Sequence, residues 1–169
     1  MNQLAQNLAQ QPVWLFGASQ PADARADQTW SRRTVPQCAH VVMRLRDAFS
    51  DIGGVVNGDA LASLWRGCTE QPISLLARWI VQREVISFSW HSQTLLPLFQ
   101  FDLETLQVRP GVPQVIAELR EAFDDLELAD WFTRPNSWLQ GSTPARRFES
   151  DLRAVLQAAR ADRYVALGN

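Results

Sequence analysis

The chain has 169 residues, 46% of them hydrophobic, and carries sixteen arginines, no lysine and eighteen acids. That length and apolar content support a buried core without staples; the missing lysine excludes Schiff-base and P-loop chemistry, and the near-balanced charge excludes a basic platform. Two cysteines, Cys38 and Cys68, are too few for a disulfide framework, the start lacks signal-peptide order, and no apolar run approaches the roughly 18 residues of a membrane span, so the expected setting is the reducing cytoplasm.

Residues 1–34 are rich in Gln, Asn, Ala, Ser and Asp, and read as an extended arm with one apolar knot at Val13, Trp14, Leu15 and Phe16. Such a knot is poorly solvated, so it is expected to dock on the body or on a second copy, which makes a homo-oligomer such as a dimer a reasonable expectation. From Pro36 the spacing of Cys38, Val42, Leu45, Phe49 and Ile52 predicts one buried helical stripe, ended by Gly53 and Gly54. Asn57 and Asp59 predict the N-terminal cap of a short helix carrying Leu61, Leu64 and Trp65 and closed by Gly67. Pro72 suits the first position of a second helix, expected to bury Ile73, Leu76, Trp79 and Ile80.

The period then changes. Ile86, Phe88 and Trp90 alternate with polar or smaller residues, His91 to Thr94 read as a turn, and Leu95 to Phe101 read as the returning strand of a β-hairpin. Pro97 cannot donate to a ladder, so its strand is expected at an edge or paired on one side only. Asp102 to Arg109 reads as a loop. Gly111, Val112 and Pro113 start a helix with a stripe of Val115 or Ile116, Leu119, Phe123 and Leu126, and the remainder is helical. In it Leu128, Ala129 and Phe132 form one stripe, Thr143 and Pro144 a cap, and Leu152, Val155, Leu156 and Ala159 the last stripe. The expected fold class is mainly α (α+β): a helix-helix-β-hairpin module resembling a winged helix-turn-helix, followed by a small helical bundle.

Catalytic and metal-binding patterns are scarce. The motifs G-x-S-x-G, H-E-x-x-H, G-x-G-x-x-G and paired C-x-x-C are absent, and the two histidines, His40 and His91, have no suitable partner nearby in sequence. Cys38, His40, Cys68 and His91 supply zinc-ligand atoms, but at spacings unlike closed sites. Asp124, Asp125, Glu127 and Asp130 read as a solvated junction between helices. No metal or cofactor is expected, and a binding protein is expected in preference to an enzyme.

A capped helix, a second helix and a hairpin wing make up the unit with which winged-helix proteins read DNA, and the outward set on the second helix is Ser74, Arg78, Gln82 and Arg83. Residues 57–102, with three arginines against four acids, offer few phosphate contacts. Seven tryptophans stand at positions 14, 30, 65, 79, 90, 131 and 138. Most fall on apolar faces, while Trp14 and Trp138 lie among turn or polar residues and suit a partner surface.

In the C-terminal part, Phe123-Asp124-Asp125, Trp131-Phe132, Pro135-Asn136, Leu139, Gly141, Pro144 and Val155 resemble the toxin-binding domain of antitoxins of the Xre, MbcA and ParS type. That pattern reads tryptophan, Pro-Asn, leucine, glycine, proline and a final helix with valine. The resemblance covers about residues 111–168, and 99–102 with 110–112 are similar to the linker in variants with an upstream helical module. It implies a helical module that docks on a bacterial toxin, typically of the NAD-consuming RES fold, and blocks its active site with the terminal segment. It also implies an upstream module for dimerisation and operator binding. The chain departs from the pattern in its helix-helix-hairpin unit and in its polar arm.

The expected organisation is thus an arm (1–34), a helical module with a hairpin wing (35–104) and an antitoxin-like module (105–169), with Trp138, Arg160, Arg163, Tyr164 and Asn169 meeting the partner. The alternatives are a winged-helix DNA-binding regulator and an interaction domain without a toxin partner. An enzyme would require a deep pocket lined by His91 or by the carboxylates at 124–130.

Overall fold

A computed structural model describes residues 35–168. The arm with its Val13–Phe16 knot, and Asn169, lie outside the described residues, as does the side chain of Cys38.

Helix α1 (Val35–Phe49) continues into a 3₁₀ turn at Ser50–Ile52 and stops at Gly53, whose φ of 103° suits only glycine comfortably. The Gly54 N–H then donates to the Phe49 carbonyl at 2.8 Å, satisfying one of the carbonyls that a helix end leaves open. Val42, Leu45 and Phe49 are buried as their spacing predicts, with Ile52 half-buried in the 3₁₀ turn.

Strand β1 (Val55–Asn57) follows, and Asn57 caps α2 (Gly58–Trp65) by accepting from the Asp59 N–H. Helix α3 (Pro72–Val81) begins on its proline. Its buried residues are Pro72, Leu76 and Trp79, spaced four and three apart. Ile73 sits about 100° around the helix from that stripe and is 62% exposed, contrary to the expectation that it is buried.

Strands β2 (Phe88–Trp90) and β3 (Gln93–Pro97) form the hairpin, and β1 adds to β3 to give an antiparallel sheet in the order β1-β3-β2. Two expectations change here. The turn is only His91-Ser92, because Trp90 already pairs with Gln93. The strand holding Pro97 is central, with β1 on one side and β2 on the other. Pro97 fits because it lies beyond the β2 ladder, opposite Val55 alone, and the next residue, Leu98, donates to the Gly54 carbonyl.

The chain leaves the sheet through a 3₁₀ turn, Leu98–Gln100, where a strand was expected to continue. Gln100 is fully buried, and its amide accepts from the Ile86 N–H and donates to the Ile86 carbonyl, standing in for a neighbouring strand. The segment expected as a loop is a second small hairpin of β4 (Phe101–Asp102) and β5 (Gln107–Val108).

Four helices complete the described chain: α4 (Val112–Leu119), α5 (Asp125–Thr133), α6 (Pro144–Arg147) and α7 (Leu152–Ala166). The stripe read as continuous from Val115 to Leu126 is broken after Leu119, because Asp124 and Glu127 form a capping box that restarts the helix. Gly111, at φ 95°, lets α4 begin against α7: a Cβ there would lie 2.4 Å from the Leu152 side chain. Thr143 and Asp151 cap α6 and α7 by accepting from Arg146 and Ala154 N–H groups.

Among the described residues two apolar clusters hold the fold. One joins Val42, Leu45 and Phe49 of α1 with Phe88, Leu95 and Phe99 and with the buried faces of α4, α5 and α7. The other gathers Leu61, Trp65, Leu76, Trp79, Leu96, Phe101 and Leu106. The first cluster crosses residue 104, so α1 packs with the later helices. The chain is mainly helical with a small antiparallel sheet, and among the described residues no helix is long and apolar enough to cross a membrane.

Candidate binding surface at the end of the terminal helix

The Pro135-Asn136 step sits where α5 ends. Asn136 is buried and caps a 3₁₀ turn, Ser137–Leu139, its Oδ1 accepting from the Trp138 N–H at 2.9 Å. Its carbonyl accepts from the Leu139 and Gly141 N–H groups, and its own N–H donates to the Ser142 carbonyl. Gln140 and Gly141 both take the left-handed conformation, at φ 57° and 79°, which folds the chain back towards α6.

This knot is fastened to the terminal helix by Asp162. The Asn136 Nδ2 donates to its Oδ2 at 2.6 Å, and the Trp131 indole Nε1 donates to the same oxygen at 2.7 Å. Asp162 falls in the register of Val155, Ala158 and Ala159, so it continues the buried stripe of α7 as a half-buried polar residue. A lone acid at that register was the available signal in the sequence, and spacing alone does not say which donors it meets.

Beyond this joint the apolar side chains are uncovered. Trp138 is 60% exposed, Tyr164 62%, Val165 70% and Leu167 45%. Val165 follows Asp162 by three residues and continues the stripe past the body that would cover it. Trp138 stands on the fixed 3₁₀ turn, and Tyr164, Val165 and Leu167 stand on or just past the last turn of α7, with Tyr164 about 160° around the helix from Asp162.

The basic residues expected at this surface are partly engaged. Arg160 and Arg163 both pair with Glu118 on α4, at 2.8 and 2.7 Å, and hold α7 against α4. Arg160 keeps 60% of its side chain exposed and Arg163 38%, so the first reaches solvent better than the second.

The residues expected to read nucleic acid separate in the same way. Ser74 and Arg78 are exposed on α3, and Gln82 is exposed at its C-cap. Arg83 lies past the end of α3 at φ 53°, with its guanidinium on Asp125 at 2.7 Å and near the Arg120 carbonyl. It ties the helix-hairpin region to the later helices.

The four carboxylates at 124–130 each have a structural partner. Asp124 and Glu127 exchange hydrogen bonds across the cap of α5, Asp125 meets Arg83, and Asp130 pairs with Arg44 and Arg134. Asp130 is only 9% exposed, so it is not part of a solvated junction. Among the described residues no group of three or more His, Cys, Asp or Glu is placed to hold a metal ion. Of the surface grooves, one of about 550 Å³ lies beside Asp51 and Arg146 and one of about 810 Å³ beside Phe101, Arg109 and Phe148, and neither is lined by His91 or those carboxylates.

Among the described residues one carboxyl is shifted. Asp102, at the start of the second hairpin, accepts from the backbone N–H groups of Glu104 and Thr105, and these bonds, with the Arg109 charge, hold its carboxyl below the ordinary range.

No family model, curated protein or solved structure matches this chain. Trp131, Asn136, Leu139, Gly141, Pro144 and Val155 all have positions in the joint or the core around it: hydrogen bonding, capping, a left-handed turn, a helix start, or burial. The large hydrophobic side chain left exposed in the same stretch is Trp138.

Proposed function

We propose that this chain is an antitoxin-like binding protein whose C-terminal surface docks on and neutralises a partner toxin, with a RES-fold enzyme as the partner class. The observation that carries the reading is the exposed set of Trp138, Tyr164, Val165 and Leu167, held by the Asn136–Asp162–Trp131 joint. Aromatic anchors on a rigid mount lose little conformational entropy on docking, and such residues dominate protein interfaces. Residues of the antitoxin motif build the mount, which supports the resemblance with a physical role for them.

The test is co-expression of the full chain with the RES-fold product of an adjacent gene, scored by growth rescue and co-purification. Rescue is expected with the intact chain and is lost with Trp138→Ala combined with removal of residues 164–169. Rescue unaffected by removing residues 150–169 overturns the reading.

A second reading, a winged-helix DNA-binding regulator, is favoured by one observation. The order α1, β1, α2, α3, β2, β3, with β1 added outside β3, is the arrangement that winged-helix modules use. Under this reading Ser74, Arg78 and Gln82 enter the groove, and retention on a DNA column at low salt is lost with Arg78→Ala. Absence of retention at low salt ends it.

A further inference from the structure

The outward face of α3 divides into two ridges. Ser74, Arg78 and Gln82 form a polar ridge with a single cation, and beside it Ile73, Ala77 and Val81 form an apolar one at the same four-residue spacing. Ile73 is 62% exposed and Val81 82%. No described residue provides a cover for that ridge, and the C-terminal surface proposed above uses different residues.

The chain holds one apolar segment that matches it. Residues 1–22 carry no charged side chain, and within them Val13, Trp14, Leu15 and Phe16 are consecutive and large. We infer that the Val13–Phe16 knot of the chain's own arm covers the Ile73–Ala77–Val81 ridge of α3.

Reach favours this occupant. The 18 residues between Phe16 and Val35 extend to about 60 Å at roughly 3.3 Å per residue, against a diameter of roughly 36 Å for a compact body of this size. A tether of that length also holds the knot at an effective concentration on the order of millimolar, so a small contact is enough to seat it. A second copy is the weaker occupant. A stable dimer needs about 800 Å² from each partner, whereas three side chains on one helix offer a few hundred at most. Nucleic acid is weaker still, because an apolar ridge gains nothing from phosphates.

The test uses the full chain with Cys38→Ser and Cys68→Ser, and Ala77→Cys as its only thiol. Its reaction with a water-soluble disulfide reagent is expected to be about fivefold slower than in the same protein carrying Trp14→Ser and Phe16→Ser. The difference should persist on dilution, and both proteins should melt alike. Equal rates overturn the inference, and protection that disappears on dilution assigns the ridge to a second copy instead. With thiols at both 14 and 77, mild oxidation is expected to yield a cross-linked monomer; a cross-linked dimer, or no cross-link, contradicts docking within one chain.

Discussion

Asp162 shows how one side chain can decide the shape of a surface. It is a carboxylate in an otherwise apolar stripe, and its cost there is offset by the two N–H donors of Trp131 and Asn136. Asp162→Ala leaves both donors facing a protein interior and is expected to lower stability by about 2 kcal/mol in denaturant titrations. Binding through Trp138 should fall with it, since the 3₁₀ turn loses its tie to α7. Asp102 supports a second prediction at this scale. Its depressed carboxyl contributes stability above the ordinary carboxylate value of 3.8 and loses it as pH falls through the lowered folded value. Melting temperatures of the natural chain and of Asp102→Asn should therefore converge in acid and differ near neutrality; a gap that stays constant with pH contradicts the assignment.

Among the elements, the β2-β3 hairpin carries local strain. His91 and Ser92 occupy a two-residue turn at φ 46° and 61°, a left-handed pair that Asn-Gly adopts far more readily. Replacing the pair with Asn-Gly is expected to raise stability by about 1 kcal/mol, visible as a higher melting temperature, less whatever is lost when the His91 ring leaves Trp90. An unchanged or lower melting temperature means that ring contact outweighs the turn. Helix α4 makes the opposite point. Its start depends on Gly111, where both a positive φ and the Leu152 side chain oppose any Cβ. Gly111→Ala is expected to cost about 2 kcal/mol, and denaturant midpoints check it.

Over the whole molecule, the two apolar clusters meet along the Leu95–Phe101 segment, where Leu95 and Phe99 serve the first and Leu96, Leu98 and Phe101 the second. Phe99 stacks on Phe49 at 5.7 Å and lies 5.2 Å from Phe132, linking α1 to α5 through the exit from the sheet. Phe99→Ala is expected to remove about 3 kcal/mol and to leave a single unfolding transition, followed by tryptophan emission and circular dichroism together. Two separated transitions indicate that the clusters fold independently. The local features are legible in the residues alone: the helical stripes of α1 and α7, the caps at Asn57 and Thr143, the helix start at Pro72, and the change of period at Ile86. Each rests on contacts within a few residues, where spacing and side-chain type decide the backbone. The pairing of β1 with β3 is set by packing, since three residues carry too little pattern to read. Tertiary packing alone placed Ile73 outside the core, gave Arg83 to Asp125 and brought Trp131 and Asn136 to Asp162. Those pairings span long stretches of chain, and it is packing between distant segments that selects which donor meets which acceptor.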